Sequence, residues 1–125
     1  MFLLSSDSYT RDKPMEFFRE ERNGMTLIAV QGELDSSTAA QLQAYVLPAI
    51  VPNCRMLLDV SQVGFMSSAG LRVMLIFYRQ AKEAGGTLIL VGVSAEIQDA
   101  MDATGFLKHF TLAKTVEEGL EVLAA

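Results

Sequence analysis

The chain of 125 residues is long enough for one substantial core, and 50% of its residues are apolar against 20% charged. Its 15 acidic and 10 basic side chains leave a formal charge of −5, which argues against the basic patch that nucleic acid or an anionic membrane requires. Cys54 is the one cysteine, so no internal disulfide forms, and no apolar run approaches the ~18 residues of a membrane span.

Residues 1–14 are polar after the first four and end in Arg11-Asp12-Lys13-Pro14, which reads as a flexible arm before a domain over residues 15–125. Met1-Phe2-Leu3-Leu4 lacks the basic start and long apolar core of a signal peptide, so a cytoplasmic, reducing setting is expected. An edge strand fits Met15 to Arg22, with Phe18 and neighbouring apolar groups on one face. Asn23-Gly24 predicts a tight hairpin into a second strand from Met25 to Gln31, rich in β-branched residues. Gly32-Glu33-Leu34-Asp35 ends that strand, and Ser36 or Ser37 is the expected cap of a helix running to about Leu47. Pro48 and Pro52 bracket its end.

A third strand, buried, spans Cys54 to Val60. Leu71, Met74, Leu75 and Tyr78 then recur at helical spacing and predict a helix from near Ala69 to Ala84, with those four facing the core. Ser67 or Ser68 is placed to cap it, Gly70 leaves the backbone bare, and Gly85-Gly86 stops it. Val73, Ile76 and Phe77 are expected to point elsewhere, with Arg72 and Arg79 in water. An apolar girth that wide means deep burial or a docking surface. Thr87 to Val91 forms the next strand, and Ser94 caps a helix through about Ala103, with Gly105 just past its end. Phe110-Thr111-Leu112 suits a short last strand, and Thr115 with Glu118 reads as a capping box before a helix that turns Leu120 and Leu123 inward. A hairpin followed by strand–helix alternation predicts an α/β fold, a mixed sheet of about five strands with one antiparallel edge.

Catalytic chemistry is thinly supplied. The one histidine is His109, and Gly64 and Gly70 do not frame Ser67 or Ser68 as a Gly-x-Ser-x-Gly elbow. Neither metal-ligand spacing nor a phosphate-cradling Gly-x-x-x-x-Gly-Lys is present, so no catalytic residue, metal or cofactor is expected, and no enzyme. His109 reads as a surface or loop-packing residue. Asp35 and Asp59 each follow an apolar strand, where the loops of an open α/β sheet gather. Helix capping explains Asp35 as well as a binding role does, and a loop hydrogen bond explains Asp59 equally.

Asp59-Val60-Ser61, then Phe65-Met66, then Ser67-Ser68-Ala69-Gly70-Leu71-Arg72, together with Gly32-Glu33-Leu34-Asp35, resemble the STAS domain and within it the bacterial anti-sigma factor antagonists. The likeness runs from about Met15 to the C-terminus. Where that family usually carries an acid before its acceptor serine, this chain has Ser67. The resemblance implies a single STAS-like domain with helices packed mainly on one face. It implies a partner-switching role: the free domain binds an anti-sigma factor serine kinase, phosphorylation at Ser68 releases it, and a serine phosphatase resets it. Asp35, Asp59, Ser67, Ala69, Gly70, Leu71 and Arg72 would then shape or contact the partner surface. Two other classes fit a STAS domain: a constitutive scaffold in a lipid transporter or stressosome-like assembly, and a small-ligand or nucleotide sensor.

Overall fold

In the computed structural model, which describes residues 15–124, Asn23 and Gly24 take positive φ angles of 53° and 79°. Two successive left-handed residues make the hairpin turn whose twist matches that of paired strands. That turn joins β1 (Glu16–Arg22) to β2 (Met25–Gln31) as an antiparallel pair. Three further strands, β3 (Arg55–Gln62), β4 (Thr87–Val91) and β5 (Thr111–Ala113), add in turn, each parallel to the one before. The sheet order is β1-β2-β3-β4-β5, a five-stranded mixed sheet with one antiparallel edge, as expected. The expected arm over residues 1–14 lies outside the described residues.

Among the described residues four α-helices connect and flank the strands: α1 (Ala39–Val46), α2 (Ser68–Glu83), α3 (Ala95–Ala103) and α4 (Val116–Ala124). A parallel strand covered on both faces must be apolar on both, and β3 is. Met56, Leu58 and Val60 pack with Leu42 of α1, Met74 and Phe77 of α2, and Met101 of α3. Leu57, on the other face, packs with Leu123 of α4. Of these four, three share one face and one covers the other. Gly85, at φ 72°, ends α2: its amide donates to Lys82 O at 3.1 Å, and that of Gly86 to Ala81 O at 2.8 Å. Those two bonds satisfy carbonyls that would otherwise face the core end unpaired.

Three local expectations are corrected. Phe17, not Phe18, turns toward the helices: its ring stacks on Tyr45 with centroids 4.5 Å apart, while Phe18 is 53% exposed. On α2 the buried stripe is Gly70, Val73, Met74, Phe77 and Ala81 with Leu71, so Phe77 is core, and Leu75 and Tyr78 are only half-buried. At α4, Thr115 Oγ1 accepts from the Glu118 amide at 3.1 Å, but the Glu118 carboxylate reaches the Lys114 amide at 3.0 Å, one residue before the reciprocal partner expected. His109 is exposed, its ring 5.4 Å from that of Tyr78.

Candidate functional site

Parallel strands bring their C-terminal ends to one side of the sheet, so the loops after β2 and β3 are neighbours. Leu34 fastens them together. Its amide donates to Phe65 O at 2.9 Å, and its carbonyl accepts from the Ser67 amide at 2.8 Å, a parallel bridge between Leu34 and Met66. The Leu34 side chain is wholly buried. Gly70 lies directly over it: a Cβ at that position would sit 2.7 Å from Leu34 Cγ and 2.8 Å from Met66 Cγ. Residues 32–35 and 66–71 form one unit because of this contact.

The unit decides between the two serines. Ser67 has extended backbone (φ −78°, ψ 177°), and its Oγ accepts from the Gly70 amide at 3.4 Å, so Ser67 is the cap of α2. Ser68 is the first helical residue and is exposed, and among the described residues its hydroxyl takes part in no hydrogen bond. Ala69 is half-buried and Arg72 exposed, while Gly70 and Leu71 are buried. The last two therefore set the position of the helix start and offer no surface of their own.

Asp35 holds the entry to α1. Its Oδ1 accepts from the Ser37 hydroxyl at 2.6 Å, the Ser37 amide at 2.8 Å and the Thr38 amide at 3.1 Å. The Thr38 hydroxyl donates to Glu33 O at 2.7 Å. Neither Ser36 nor Ser37 is the expected cap: a full turn from Asp35 to Thr38 precedes the helix, with the Ala39 amide donating to Asp35 O at 2.9 Å. The carboxylate therefore caps this turn, while Thr38, the N-cap of α1, makes no side-chain cap bond. Hydrogen bonds from the Ser37 hydroxyl and amide, then from Thr38, hold the Asp35 carboxyl below its ordinary value of 3.8. A lowered value means that the stabilisation is complete above the ordinary carboxylate range and is lost as pH falls through the lowered one. In urea unfolding, the stability gap between wild type and Asp35→Ala is expected to stay constant above about pH 5 and to close below about pH 4. A gap that persists undiminished at pH ~2.5 would show that the charge is not what holds the turn.

Asp59 serves a different place. It shares the α4 side of β3 with Leu57, two residues before it, is in register with Ala29 and Val91, and its Oδ1 accepts from the Ser61 amide at 2.9 Å. The hydrogen bond to the Ser61 amide, within the last residues of the strand, is the contact that its carboxylate makes. Phe65, by contrast, stands at the site and was read only as one half of an apolar pair. The Leu34–Met66 bridge turns Met66 inward (7% exposed) and leaves Phe65 50% exposed. In extended chain only one of two adjacent residues can face inward, and that alternation was the available signal. Half-buried Leu75 and Ile76 continue the surface along α2.

Among the described residues no group of three or more His, Cys, Asp or Glu side chains is placed to hold a metal ion. No helix among them is long and apolar enough to cross a membrane. A cleft of about 320 Å³ lined by Tyr78, Lys82, Thr87, His109 and Thr111 lies at the opposite end of α2 from Ser68.

A family model described as the STAS domain matches residues 18–119. The Bordetella bronchiseptica protein BtrV, named as an anti-sigma factor antagonist, is 30% identical over 104 residues, which are 82% of this chain and 90% of that relative. The fold is similar to that of a Thermotoga maritima protein named as an anti-sigma factor antagonist, with TM-score 0.79 and 16% identity over 87% of this chain and 95% of that one. It is similar also to the phosphorylated form of the Bacillus cell fate determinant SpoIIAA, with TM-score 0.65 and 24% identity over 86% of this chain and 99% of that one. With the family model spanning most of the chain and BtrV matched along nearly its whole length, the chain belongs to the STAS domain family, among its anti-sigma factor antagonists.

Proposed function

We propose that the chain works by partner switching, with Ser68 as the phosphate acceptor. Unphosphorylated, it binds an anti-sigma factor serine kinase and so frees the sigma factor in the cytoplasm. The kinase passes the γ-phosphoryl group of its ATP to Ser68 Oγ; the serine proton is lost, the bond to the β-phosphate breaks, and ADP leaves. A serine phosphatase later hydrolyses the ester. The chain itself is substrate and binding module, and its partners supply the catalysis.

One observation carries this reading: capping falls to Ser67, which leaves the Ser68 hydroxyl exposed and without a hydrogen-bond partner among the described residues. A serine retained only to cap the helix would be the one bonded to the amides. A phosphate on Ser68 adds a charge of about −1.5 to −2 at the helix start, where the macrodipole tolerates it. Facing a partner carboxylate about 5 Å away, each unit of that charge costs roughly 3 kcal/mol at an effective dielectric near 20. That is on the order of a hundredfold in affinity before salt screening. That SpoIIAA has been solved in a phosphorylated form supports the same reading.

The test is a pull-down from the native host with wild type, Ser68→Ala and Ser68→Glu as bait. Wild type and Ser68→Ala are expected to retain a kinase, and Ser68→Glu to lose it. Equal retention of the same partners by all three would overturn the switch and leave a constitutive scaffold.

A further inference from the structure

The exposed edge of α2 begins at the acceptor itself. Ser68, Arg72, Leu75, Ile76 and Arg79 recur at steps of three or four residues and so form one continuous stripe. Ser68, Arg72 and Arg79 are exposed and Leu75 and Ile76 half-buried, while Val73, Met74 and Phe77 behind them are buried. Two arginines thus bracket two aliphatic side chains on a molecule whose net charge is −5. Among the described residues neither arginine has a carboxylate at ion-pair distance; the two ion pairs present join Arg19 to Glu21 and Arg22 to Glu20 on β1. Arg72 is therefore free to meet an anion from elsewhere.

We propose that Arg72 is the second element of the switch: it meets a partner carboxylate while Ser68 is free, and turns back to the phosphate once Ser68 is modified. This rests on the reading of Ser68 as acceptor. Side chains four apart on a helix have Cβ atoms about 5–6 Å from one another, well within arginine's reach. The order is the favourable one, anion N-terminal to cation. A guanidinium also bonds phosphate oxygens in pairs, with charge-assisted strength. Phosphorylation then acts twice on the docking stripe: it adds negative charge and withdraws a positive one. Arg79 lies roughly 10 Å further along the axis, beyond the phosphate, and keeps its place in both states. The partner surface that fits is an apolar strip with a carboxylate at each end, opposite Leu75 and Ile76.

The test installs phosphoserine at position 68 by genetic encoding and follows its phosphorus NMR signal through a pH titration in wild type, Arg72→Gln and Arg79→Gln. Both arginines are exposed, so neither replacement endangers the fold. The second ionisation of the phosphate is expected about 0.15–0.4 pH unit lower in wild type than in Arg72→Gln, with Arg79→Gln matching wild type. Equal midpoints in all three would overturn the proposal, and so would equal shifts in both variants, which report net charge alone. With the purified kinase from the pull-down, phosphorylation is expected to weaken binding by a smaller factor in Arg72→Gln than in wild type; an equal factor would sink the idea. Because the phosphate is installed beforehand, the titration stands or falls independently of whether a host kinase uses Ser68.

Discussion

Phe77→Ala is expected to lower the unfolding free energy by about 3–5 kcal/mol, the cost of emptying a fully buried aromatic site. Phe77 is 0% exposed and sits in the larger core cluster with Met56, Leu58 and Leu90 of the sheet. The surrounding side chains come from separate strands and helices and cannot all relax into the void, so the cavity term adds to the lost transfer energy. The informative comparison is with its neighbour. Ile76 is half-buried on the outer stripe, and Ile76→Ala is expected to cost about 1 kcal/mol or less, since much of its surface already meets water. Urea unfolding with an unchanged slope reads both values. If Ile76→Ala proved the costlier, α2 would be rotated by about one residue's turn from the orientation described, and the docking stripe with it.

That comparison also marks where sequence reasoning stops. The apolar stretch from Val73 to Tyr78 contains two overlapping helical stripes, one through Leu71, Met74, Leu75 and Tyr78, the other through Val73, Met74, Phe77 and Ala81. Periodicity alone supports both, because nearly every position is apolar; the sheet decides, and it takes the second. The adjacent pair Phe17 and Phe18 is ambiguous for the same reason, and the stacking of Phe17 on Tyr45 resolves it through a contact 28 residues distant in sequence. Local chemistry fared better. Asn23-Gly24, the serine at 94 and Gly85-Gly86 each encode a turn, a cap or a stop through backbone geometry that needs no tertiary partner, and each appears where read. The site was legible in part. Residues 66–72 mark a helix start, but whether Ser67 or Ser68 caps it depends on the bridge from Leu34, a tertiary bond. Asp59 is legible as the end of an apolar strand, and the alternation of Leu57 against Leu58 and Val60 puts it on the α4 side of the sheet.

Gly70→Ala is expected to destabilise the protein by about 1–3 kcal/mol, opposite in sign to the usual effect of this change inside a helix. At an unconstrained helical position alanine is favoured over glycine by about 1 kcal/mol. Here the added methyl meets Leu34 Cγ at 2.7 Å and Met66 Cγ at 2.8 Å. Neither neighbour yields easily: Leu34 is wholly buried, and its amide and carbonyl are both held by the loop after β3. Moving Leu34 would pull on the Phe65 carbonyl and the Ser67 amide, so the strain falls on the cap and on the orientation of Ser68 beside it. Stability and switching should therefore decline together, with slower phosphate incorporation at Ser68 under conditions where the variant is still folded. A Leu34→Ala replacement makes room for the methyl, and in the double variant the two penalties should sum to less than their separate values, a coupling of about 1 kcal/mol or more. Additive penalties, or a Gly70→Ala variant more stable than wild type, would mean that the two loops are not locked through this contact and that the position of Ser68 owes nothing to Gly70.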